Sequence, residues 1–307
     1  MRIVLHGQQA FGSAVLDRLI ENKENIVAVC AAPDKDNGKI DPLVENATKN
    51  NIPVYQPSSW KTQEAYDLMK SFDADLCVMA YVTLIVPSNV LNLPKLGSIQ
   101  YHPSLLPMHR GPSSINWPIN NGSDKTGITI FWPDDGLDTG PILLQKECEI
   151  LQDETLGELY FNKLFPMGID GLEEAINLVR NNNAERIEQD LDKGSYESWF
   201  GKTEAKIDWS HNVETIYNKI RASDPQPGAW TLINGVEVKF YEVGLLDQTT
   251  KNSGEILSVH SDTLIIGTKD GAISIKKVRV DGKKVTATEF INEYKLSLIH
   301  ISEPTRH

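Results

Sequence analysis

The sequence predicts an α/β protein whose mostly parallel sheet, covered by helices, is followed by a small β-barrel domain of the OB-like kind. Over the first 150 residues, short runs that are apolar on both faces alternate with amphipathic helical segments, which is typical of a parallel sheet. A polar stretch at about 183–203 has the composition of a linker. Beyond it, runs rich in Val, Ile and Thr are separated by turn dipeptides such as "NG" and "DG". We therefore expect domains at 1–203 and 204–295.

Hydrophobic spacing predicts the elements of the first domain. "RIVLHG" at 2–7 predicts a buried strand, and "AFGSAVLDRLIEN" after it has apolar residues at helical spacing. Asp41 and Pro42 predict the start of the next helix, as its N-cap and first helical residue. A long helical stretch at 155–182 is expected to break near Pro166 and Gly168. Further strands are predicted at "IVAVCAA", "IPVYQ", "LCVMAY", "SIQYHP" and "GITIFW".

The first strand leads into the turn "GQQAFG", which lacks both the GxGxxG pattern and a Walker loop. The sheet is therefore Rossmann-like without a dinucleotide fingerprint, and we expect no NAD site there. No metal is expected either, because the aspartates of "PDDGLD" do not have the spacing of a calcium loop.

Charge and hydropathy restrict the partners. The net charge is −12, and residues 1–203 hold 17 Lys and Arg against 28 Asp and Glu, so no broad basic field is available to nucleic acid. The basic run "KKVRVDGKK" at 276–284 is more simply a β-hairpin with a charged rim. No run reaches the ~18 apolar residues of a membrane span, and the N-terminus does not look like a targeting peptide. We expect a cytoplasmic protein that binds neither nucleic acid nor membrane.

Gln100 and His102 lie at the end of one predicted strand, and Asp138 follows the next one. Alternate residues of a strand point the same way, so Gln100 and His102 share a face. Imidazole changes charge near neutral pH, and with a carboxylate it forms an acid/base pair, while an amide can donate to a developing oxyanion. We place Asp138 at the carboxyl edge of the sheet, beside His102. No GxSxG nucleophile is present, so the pattern favours acyl transfer to an external nucleophile. The second histidine, His109, is interpreted as a loop residue.

The motifs "HPSLLP" (102–107), "HRGPSSINW" (109–117) and "DDGLDTG" (134–140) resemble the signature of formyltransferases and hydrolases that use 10-formyltetrahydrofolate. The resemblance covers about 1–295. "GQQAFG", "PDKDNGKIDPL", "KTEAKIDW" and "PGAW" make the chain most similar to the hydrolase part of 10-formyltetrahydrofolate dehydrogenases.

The resemblance implies removal of the formyl group from 10-formyltetrahydrofolate to give tetrahydrofolate, with His102 and Asp138 as catalytic residues. Transferases have Asn where this chain has Gln100, so Gln100 is expected as a participant with an altered reach. Full-length dehydrogenases also have a carrier domain with a 4′-phosphopantetheine arm and an aldehyde dehydrogenase domain that uses NADP. Both are expected in cis, outside this chain. The family's folate contacts map onto the following residues: Ala80, Tyr81, Pro87, Leu105, Pro107, Asp134, Asp135 and Gly136.

Three alternatives remain. A methionyl-tRNA formyltransferase would need a basic face, a sugar-nucleotide formyltransferase would share the folate site, and an inactive binding module would not need the intact histidine–aspartate pair. The last residues, "LSLIHISEPTRH" at 296–307, resemble a translated sequencing adapter. We interpret them as an artefact and expect the natural chain to continue past Lys295.

Overall fold

The computed structural model describes residues 1–34, 38–247, 253–260 and 262–294. The 296–307 segment interpreted as an artefact lies outside them. The chain forms two compact units, each made of separate segments. The first unit contains 1–114, 126–148 and 161–197, and the second contains 115–125, 149–160 and the chain from 198 onward. The domain limits predicted from the sequence, 1–203 and 204–295, stay a prediction.

The first unit is built on a seven-stranded sheet. Its strands are β1 Arg2–Gly7, β2 Asn25–Cys30, β3 Val54–Tyr55, β4 Leu76–Ala80, β5 Ser98–His102, β6 Lys125–Phe131 and β7 Ile142–Glu149. Their order is β3-β2-β1-β4-β5-β6-β7. The pairs among β1 to β5 are parallel, and β6 is antiparallel to β5. The predicted Rossmann-like, mostly parallel sheet is confirmed.

The helices lie where apolar residues recur at helical spacing. They are α1 Gln9–Glu21, α2 Pro42–Lys49, α3 Gln63–Ser71, α4 Ser88–Leu91, α5 Asn116–Asn120, α6 Leu156–Leu159, α7 Phe165–Arg180, α8 Val213–Ala222 and α9 Ala287–Tyr294. Asp41 caps α2 as predicted, because its carboxylate accepts from the Leu43 N–H at 2.9 Å. None of the helices in the described ranges is both long and apolar enough to cross a bilayer.

The long helical stretch at 155–182 is interrupted, as predicted, but the interruption lies before Pro166 and not at Gly168. A π-helical turn, Tyr160–Leu164, separates α6 from α7, and Pro166 lies in the first turn of α7. Gly168, by contrast, lies inside α7 and breaks nothing. A Cβ there would lie 2.5 Å from the Tyr101 ring and 3.0 Å from that of Phe11, so Gly168 allows the helix to pack closely against the sheet.

The segment from Glu185 to Glu197, predicted as part of a linker, lies along the first unit. Ile187 exchanges two backbone hydrogen bonds with Ile142 at the start of β7. The Glu185 carbonyl accepts from the Trp132 indole at 2.9 Å. The polar composition of this segment, called the strap from here on, therefore reflects a surface segment whose backbone groups are hydrogen-bonded to the first unit.

The second unit contains a six-stranded antiparallel sheet that curls as a half-barrel, which confirms the predicted β domain. Its strands are β8 Trp230–Ile233, β9 Val236–Leu246, β10 Ile256–His260, β11 Thr263–Gly267, β12 Ala272–Val280 and β13 Lys283–Thr286. Apolar side chains of this sheet pack with those of α8 and α9 in one core. The predicted hairpin at 276–284 is also confirmed. Asp281 and Gly282, with φ of 47° and 78°, form its turn, as a type I′ turn requires.

His6 makes the stability of the first unit sensitive to acid. Its side chain is buried on β1, 4.9 Å from the Trp60 ring, and its Nδ1 has no hydrogen-bond partner among the described residues. Burial lowers the pKa of His6 from 6.5 to about 3. The unfolded chain therefore binds a proton that the folded chain does not bind between these values. The contribution of neutral His6 to the free energy of unfolding is complete above pH 6.5 and is lost as the pH falls towards 3.

We predict that His6→Leu reduces this acid sensitivity. In the wild type the His6 term lowers the free energy of unfolding by about 2 kcal/mol between pH 7 and pH 5, and the variant lacks that term. Urea unfolding at both pH values measures the difference, with His211→Leu, an exposed histidine, as control. An equal loss of stability in wild type and His6→Leu contradicts the prediction.

Candidate active site

His102 is the last residue of β5, and Gln100 lies two residues before it on the same side of the strand. Gln100 pairs with Met79 of β4 and with Phe131 of β6, so strands on both sides fix its backbone. The His102 side chain is only 7% exposed. Gln100 is half-buried, and its amide makes no hydrogen bond to another described residue. A buried imidazole thus lies next to an amide that is available as a donor.

Asp138 lies close to this histidine. The distance between His102 Nδ1 and Asp138 Oδ2 is 3.7 Å, and the Asp138 side chain is as buried as that of His102. The same Oδ2 accepts from the Gly111 N–H at 2.9 Å, and the Gln189 amide donates to the Asp138 backbone oxygen at 3.0 Å. A buried carboxylate is costly unless it is paired. These contacts therefore hold Asp138 where it can exchange a proton or hydrogen bond with His102.

The side chains of His102 and Asp138 lie close together, but β6 is antiparallel to β5 and does not lead directly to the carboxyl end of β5. In the antiparallel β5–β6 pair, His102 is opposite Thr129 and Gln100 is opposite Phe131. The loop after β6 therefore leaves the sheet on the Gln100 side of His102, and not beyond the carboxyl end of β5. Asp138 reaches His102 because this loop folds back, and its left-handed φ of 57° is part of that path.

The other ring nitrogen of His102 also has a hydrogen-bond partner. Its Nε2 lies 2.9 Å from the backbone oxygen of His109. A carbonyl can only accept, so Nε2 carries a hydrogen. In a neutral His102 the proton is therefore on Nε2, and Nδ1 is a free base facing Asp138. In the charged ring, Nδ1–H can donate to Asp138 or to a substrate oxygen.

Side-chain hydrogen bonds fix the turn that follows His102. Ser104 Oγ donates to the Met108 carbonyl at 2.7 Å. Thr129 Oγ1 donates to the Ser104 carbonyl at 2.7 Å and accepts from the Leu106 N–H at 3.1 Å. Gln145 donates to the Leu106 carbonyl at 2.7 Å. The turn is thus tied to β6 and β7, so the carbonyl that holds His102 belongs to a rigid segment.

Sequence reasoning assigned no role to His109 and did not find Glu197. His109 is 9% exposed, and its Nδ1 lies 3.1 Å from Glu197 Oε1. Burial lowers the pKa of His109, and the attraction of Glu197 offsets part of that effect. Since Glu197 is 88 residues further along the chain, no local signal joins them. Only the pairing of the strap with the turn brings them together.

The family model described as "Formyl transferase" matches residues 1–172, and that of its C-terminal domain matches 200–295. The chain belongs to the formyl transferase family. The predicted resemblance is therefore confirmed.

Two curated formyl transferase relatives have different lengths. The cytosolic 10-formyltetrahydrofolate dehydrogenase of Xenopus tropicalis is 36% identical over 319 residues, which cover 99% of this chain and 35% of the relative. The methionyl-tRNA formyltransferase of Clostridioides difficile is 36% identical over 290 residues, which cover 92% of this chain and 94% of the relative. The chain thus spans about a third of the dehydrogenase and nearly all of the transferase.

A solved structure shows the same fold. HypX from Aquifex aeolicus in complex with tetrahydrofolic acid has a TM-score of 0.69 at 19% identity, with 98% of this chain and 48% of that chain covered. At this identity the likeness concerns the fold alone.

The predicted folate contacts Ala80, Tyr81 and Pro87 lie at or after the end of β4. Since Met79 pairs with Gln100 in the parallel register, Tyr81 comes level with His102. Ala80 is buried, and its carbonyl accepts from the Gln8 N–H at 3.3 Å. Tyr81 is 48% exposed with a left-handed φ of 65°. These residues thus begin beside His102, and their contact with folate stays a prediction.

Asp134, Asp135 and Gly136 are exposed members of the loop that carries Asp138. Asp134 accepts from the Gly136 N–H at 3.0 Å and from the Thr139 hydroxyl at 2.7 Å, which closes a turn. Asp135 accepts from the N–H and hydroxyl of Ser88, at the start of α4. Both carboxylates therefore shape the loop. Their role in substrate binding stays a prediction.

Leu105 and Pro107 belong to the turn after His102 and are half-buried. A Cβ on Gly127 of β6 would lie 2.7 Å from Leu105 Cδ2, so Leu105 packs over the sheet. The Pro107 carbonyl accepts from the Ser195 N–H at 3.1 Å. Both contacts are structural, and contact with folate stays a prediction for both. Within the described ranges, no three His, Cys, Asp or Glu side chains are grouped as metal ligands would be.

Proposed function

We propose that this chain removes the formyl group from 10-formyltetrahydrofolate to give tetrahydrofolate. The observation that carries the proposal is the buried pair of His102 and Asp138, 3.7 Å apart, with the other ring nitrogen of His102 already used by a backbone carbonyl. The free amide of Gln100 on the same side of β5 supports it. So does membership of the formyl transferase family.

The chemistry that these groups support is hydrolysis of a formamide. Water adds to the formyl carbon, and Asp138 accepts the proton that the water loses. Charged His102 donates a hydrogen bond from Nδ1 to the oxygen that becomes negative, which lowers the energy of the tetrahedral intermediate. The bond from carbon to N10 then breaks, and N10 takes a proton from the pair. The products are formate and tetrahydrofolate.

Gln100 is proposed as a second donor to the same oxygen. It is half-buried and level with the end of β4, and its side-chain amide makes no hydrogen bond to another described residue. One such donor is worth about 3 kcal/mol in a tetrahedral transition state. Transferases have Asn at this position and the dehydrogenase branch tends to lack it, so Gln100 supports assignment to the hydrolase branch.

We further propose that the chain acts in a longer protein, as the hydrolase part of a 10-formyltetrahydrofolate dehydrogenase. In that protein a carrier domain with 4′-phosphopantetheine would accept the formyl group, and an aldehyde dehydrogenase domain would oxidise it to CO2 with NADP. The threefold greater length of the dehydrogenase relatives supports this assignment. A cytosolic location is part of the same proposal, and these relatives include cytosolic and mitochondrial forms.

A methionyl-tRNA formyltransferase is the second candidate, and the length of the Clostridioides difficile relative favours it. In that reaction the nucleophile is an amino group, and the same histidine–aspartate pair would serve. The charge of residues 1–203, with 17 Lys and Arg against 28 Asp and Glu, argues against a large polyanionic substrate.

We predict that the purified chain releases formate from 10-formyltetrahydrofolate when a thiol such as 2-mercaptoethanol is present. The reason is that His102 and Asp138 activate the formyl carbon towards a small external nucleophile. Formate and tetrahydrofolate are measured together, since hydrolysis yields them in equal amounts. The His102→Ala variant serves as the inactive control, and methionyl-tRNA is offered as acceptor in a parallel reaction. Absence of formate together with robust formylation of methionyl-tRNA assigns the chain to the transferases instead.

A further inference from the structure

The backbone of His109 is held in an uncommon conformation next to the catalytic histidine. Its φ is 56°, a left-handed value that few residues other than glycine adopt. The carbonyl of this residue accepts from His102 Nε2–H, with 2.9 Å between the two atoms. Such backbone strain persists only where the surroundings fix it. The contacts of His109 therefore decide which nitrogen of His102 carries the proton.

Two of these contacts come from the strap. The Ser195 hydroxyl accepts from the His109 N–H at 2.9 Å, and Glu197 Oε1 lies 3.1 Å from the His109 ring nitrogen Nδ1. The strap itself is anchored on both sides of His109. The Ser195 N–H donates to the Pro107 carbonyl at 3.1 Å, and the Glu197 N–H donates to the Arg110 carbonyl at 3.0 Å.

Glu197 is an unusual residue to find in this place. Its side chain is 17% exposed, and its Oε2 is buried without a hydrogen-bond partner among the described residues. Burying a carboxylate with one oxygen unsatisfied lowers stability, so packing does not explain the choice of residue. The contact of Glu197 Oε1 with the His109 ring is the interaction that explains why a glutamate lies here in spite of this loss of stability.

We propose that Glu197 is a positioning residue for His102, an inference that rests on the proposed function. Glu197 holds the His109 ring, the ring holds the left-handed turn, and the turn presents the carbonyl that binds His102 Nε2–H. In this way Glu197 keeps His102 Nδ1 directed at Asp138 and the formyl group, without touching the substrate. Groups that orient the histidine ligands of metal sites typically change activity by about 10-fold to 100-fold, and we expect the same range for a group that orients His102.

The test compares Glu197→Ala, Glu197→Gln and Glu188→Ala in the full chain. Gln keeps an acceptor for the ring Nδ1–H of His109, whereas Ala removes it. Glu188 is an exposed glutamate of the same strap and serves as the matched control. Turnover of 10-formyltetrahydrofolate gives kcat and KM. The 15N spectrum of histidine-labelled protein gives the tautomer of His102, whose signals are assigned by their loss in His102→Asn.

For Glu197→Ala we expect kcat to fall about 10-fold to 100-fold at unchanged KM, with the neutral His102 ring distributed over both tautomers. Glu197→Gln and Glu188→Ala are expected to stay within about threefold of wild type and to keep the Nε2–H tautomer. Ser195→Ala removes only the hydroxyl that accepts from the backbone N–H of His109. It is expected to change the His102 tautomer in the same direction as Glu197→Ala. It provides the test if Glu197→Ala does not fold.

Wild-type kcat and an unchanged His102 tautomer in Glu197→Ala overturn the proposal. So does a Gln variant that loses as much activity as the Ala variant while the His102 signal is unchanged. If the wild type itself does not turn over 10-formyltetrahydrofolate, the proposed function fails. The tautomer measurement still decides the role of Glu197, because it needs no substrate.

Discussion

Asp138→Asn is expected to lower the kcat for formate release by about 100-fold to 10,000-fold, with little change in KM. The amide oxygen of Asn can still accept from the Gly111 N–H, which Asp138 Oδ2 does at 2.9 Å, so the loop keeps its position. The charge beside His102 Nδ1 is lost, however, and so is the group proposed to accept the proton from water. The variant therefore separates acid/base chemistry from the structure of the loop.

Steady-state kinetics with 10-formyltetrahydrofolate, together with equilibrium binding of the folate, measures this effect. Asp170→Asn is the matched control, since Asp170 is exposed on α7 and pairs with Arg18 at the surface. Its kcat is expected to remain at the wild-type value. An Asp138→Asn protein with the kcat of wild type excludes the proposed role of Asp138. A variant that loses folate binding as well as turnover makes Asp138 a binding residue instead.

Local sequence patterns predict the fold to a large extent, because each pattern has a direct physical cause. The cap at Asp41, the strands and the Asp281–Gly282 turn all depend on neighbouring residues alone. Gly168 shows the limit of this reasoning. A glycine in a helical pattern is read as a break, but here it makes room for the Tyr101 and Phe11 rings, which only the tertiary fold brings near.

The candidate site, too, is predicted from the sequence only where local patterns define it. His102 and Gln100 follow from the period of one strand, and Asp138 from a motif, so all three can be named from the sequence. The direction of β6 cannot be read from its apolar run, so the sequence predicts that Asp138 lies beside His102 but not that its loop folds back to reach it. The sequence does not predict a role for Glu197, because its segment has the polar composition of a linker. Its backbone hydrogen bonds to the turn cannot be inferred from composition.

Gly140 is the residue on which the return of the Asp138 loop depends most directly. A Cβ at this position would lie 1.8 Å from the carbonyl oxygen of Trp132, a backbone atom at the start of the same loop. The hairpin closes there, since the Trp132 N–H donates to the Pro141 carbonyl at 2.9 Å. Gln189 also donates to the Gly140 carbonyl at 2.6 Å, with the same amide that holds Asp138. No rotamer change relieves a backbone overlap, so the loop must move.

We predict that Gly140→Ala lowers kcat by about 100-fold, because a displacement of the order of 1 Å is enough to misplace a catalytic group to that extent. The free energy of unfolding is expected to fall by about 1–3 kcal/mol. Kinetics and urea unfolding measure the two effects, with circular dichroism to show that the variant remains folded. Gly201→Ala is the control, since the nearest atom to its added Cβ is 3.5 Å away, an ordinary contact. A Gly140→Ala protein that keeps wild-type kcat means that the position of Asp138 does not depend on the closure of this hairpin.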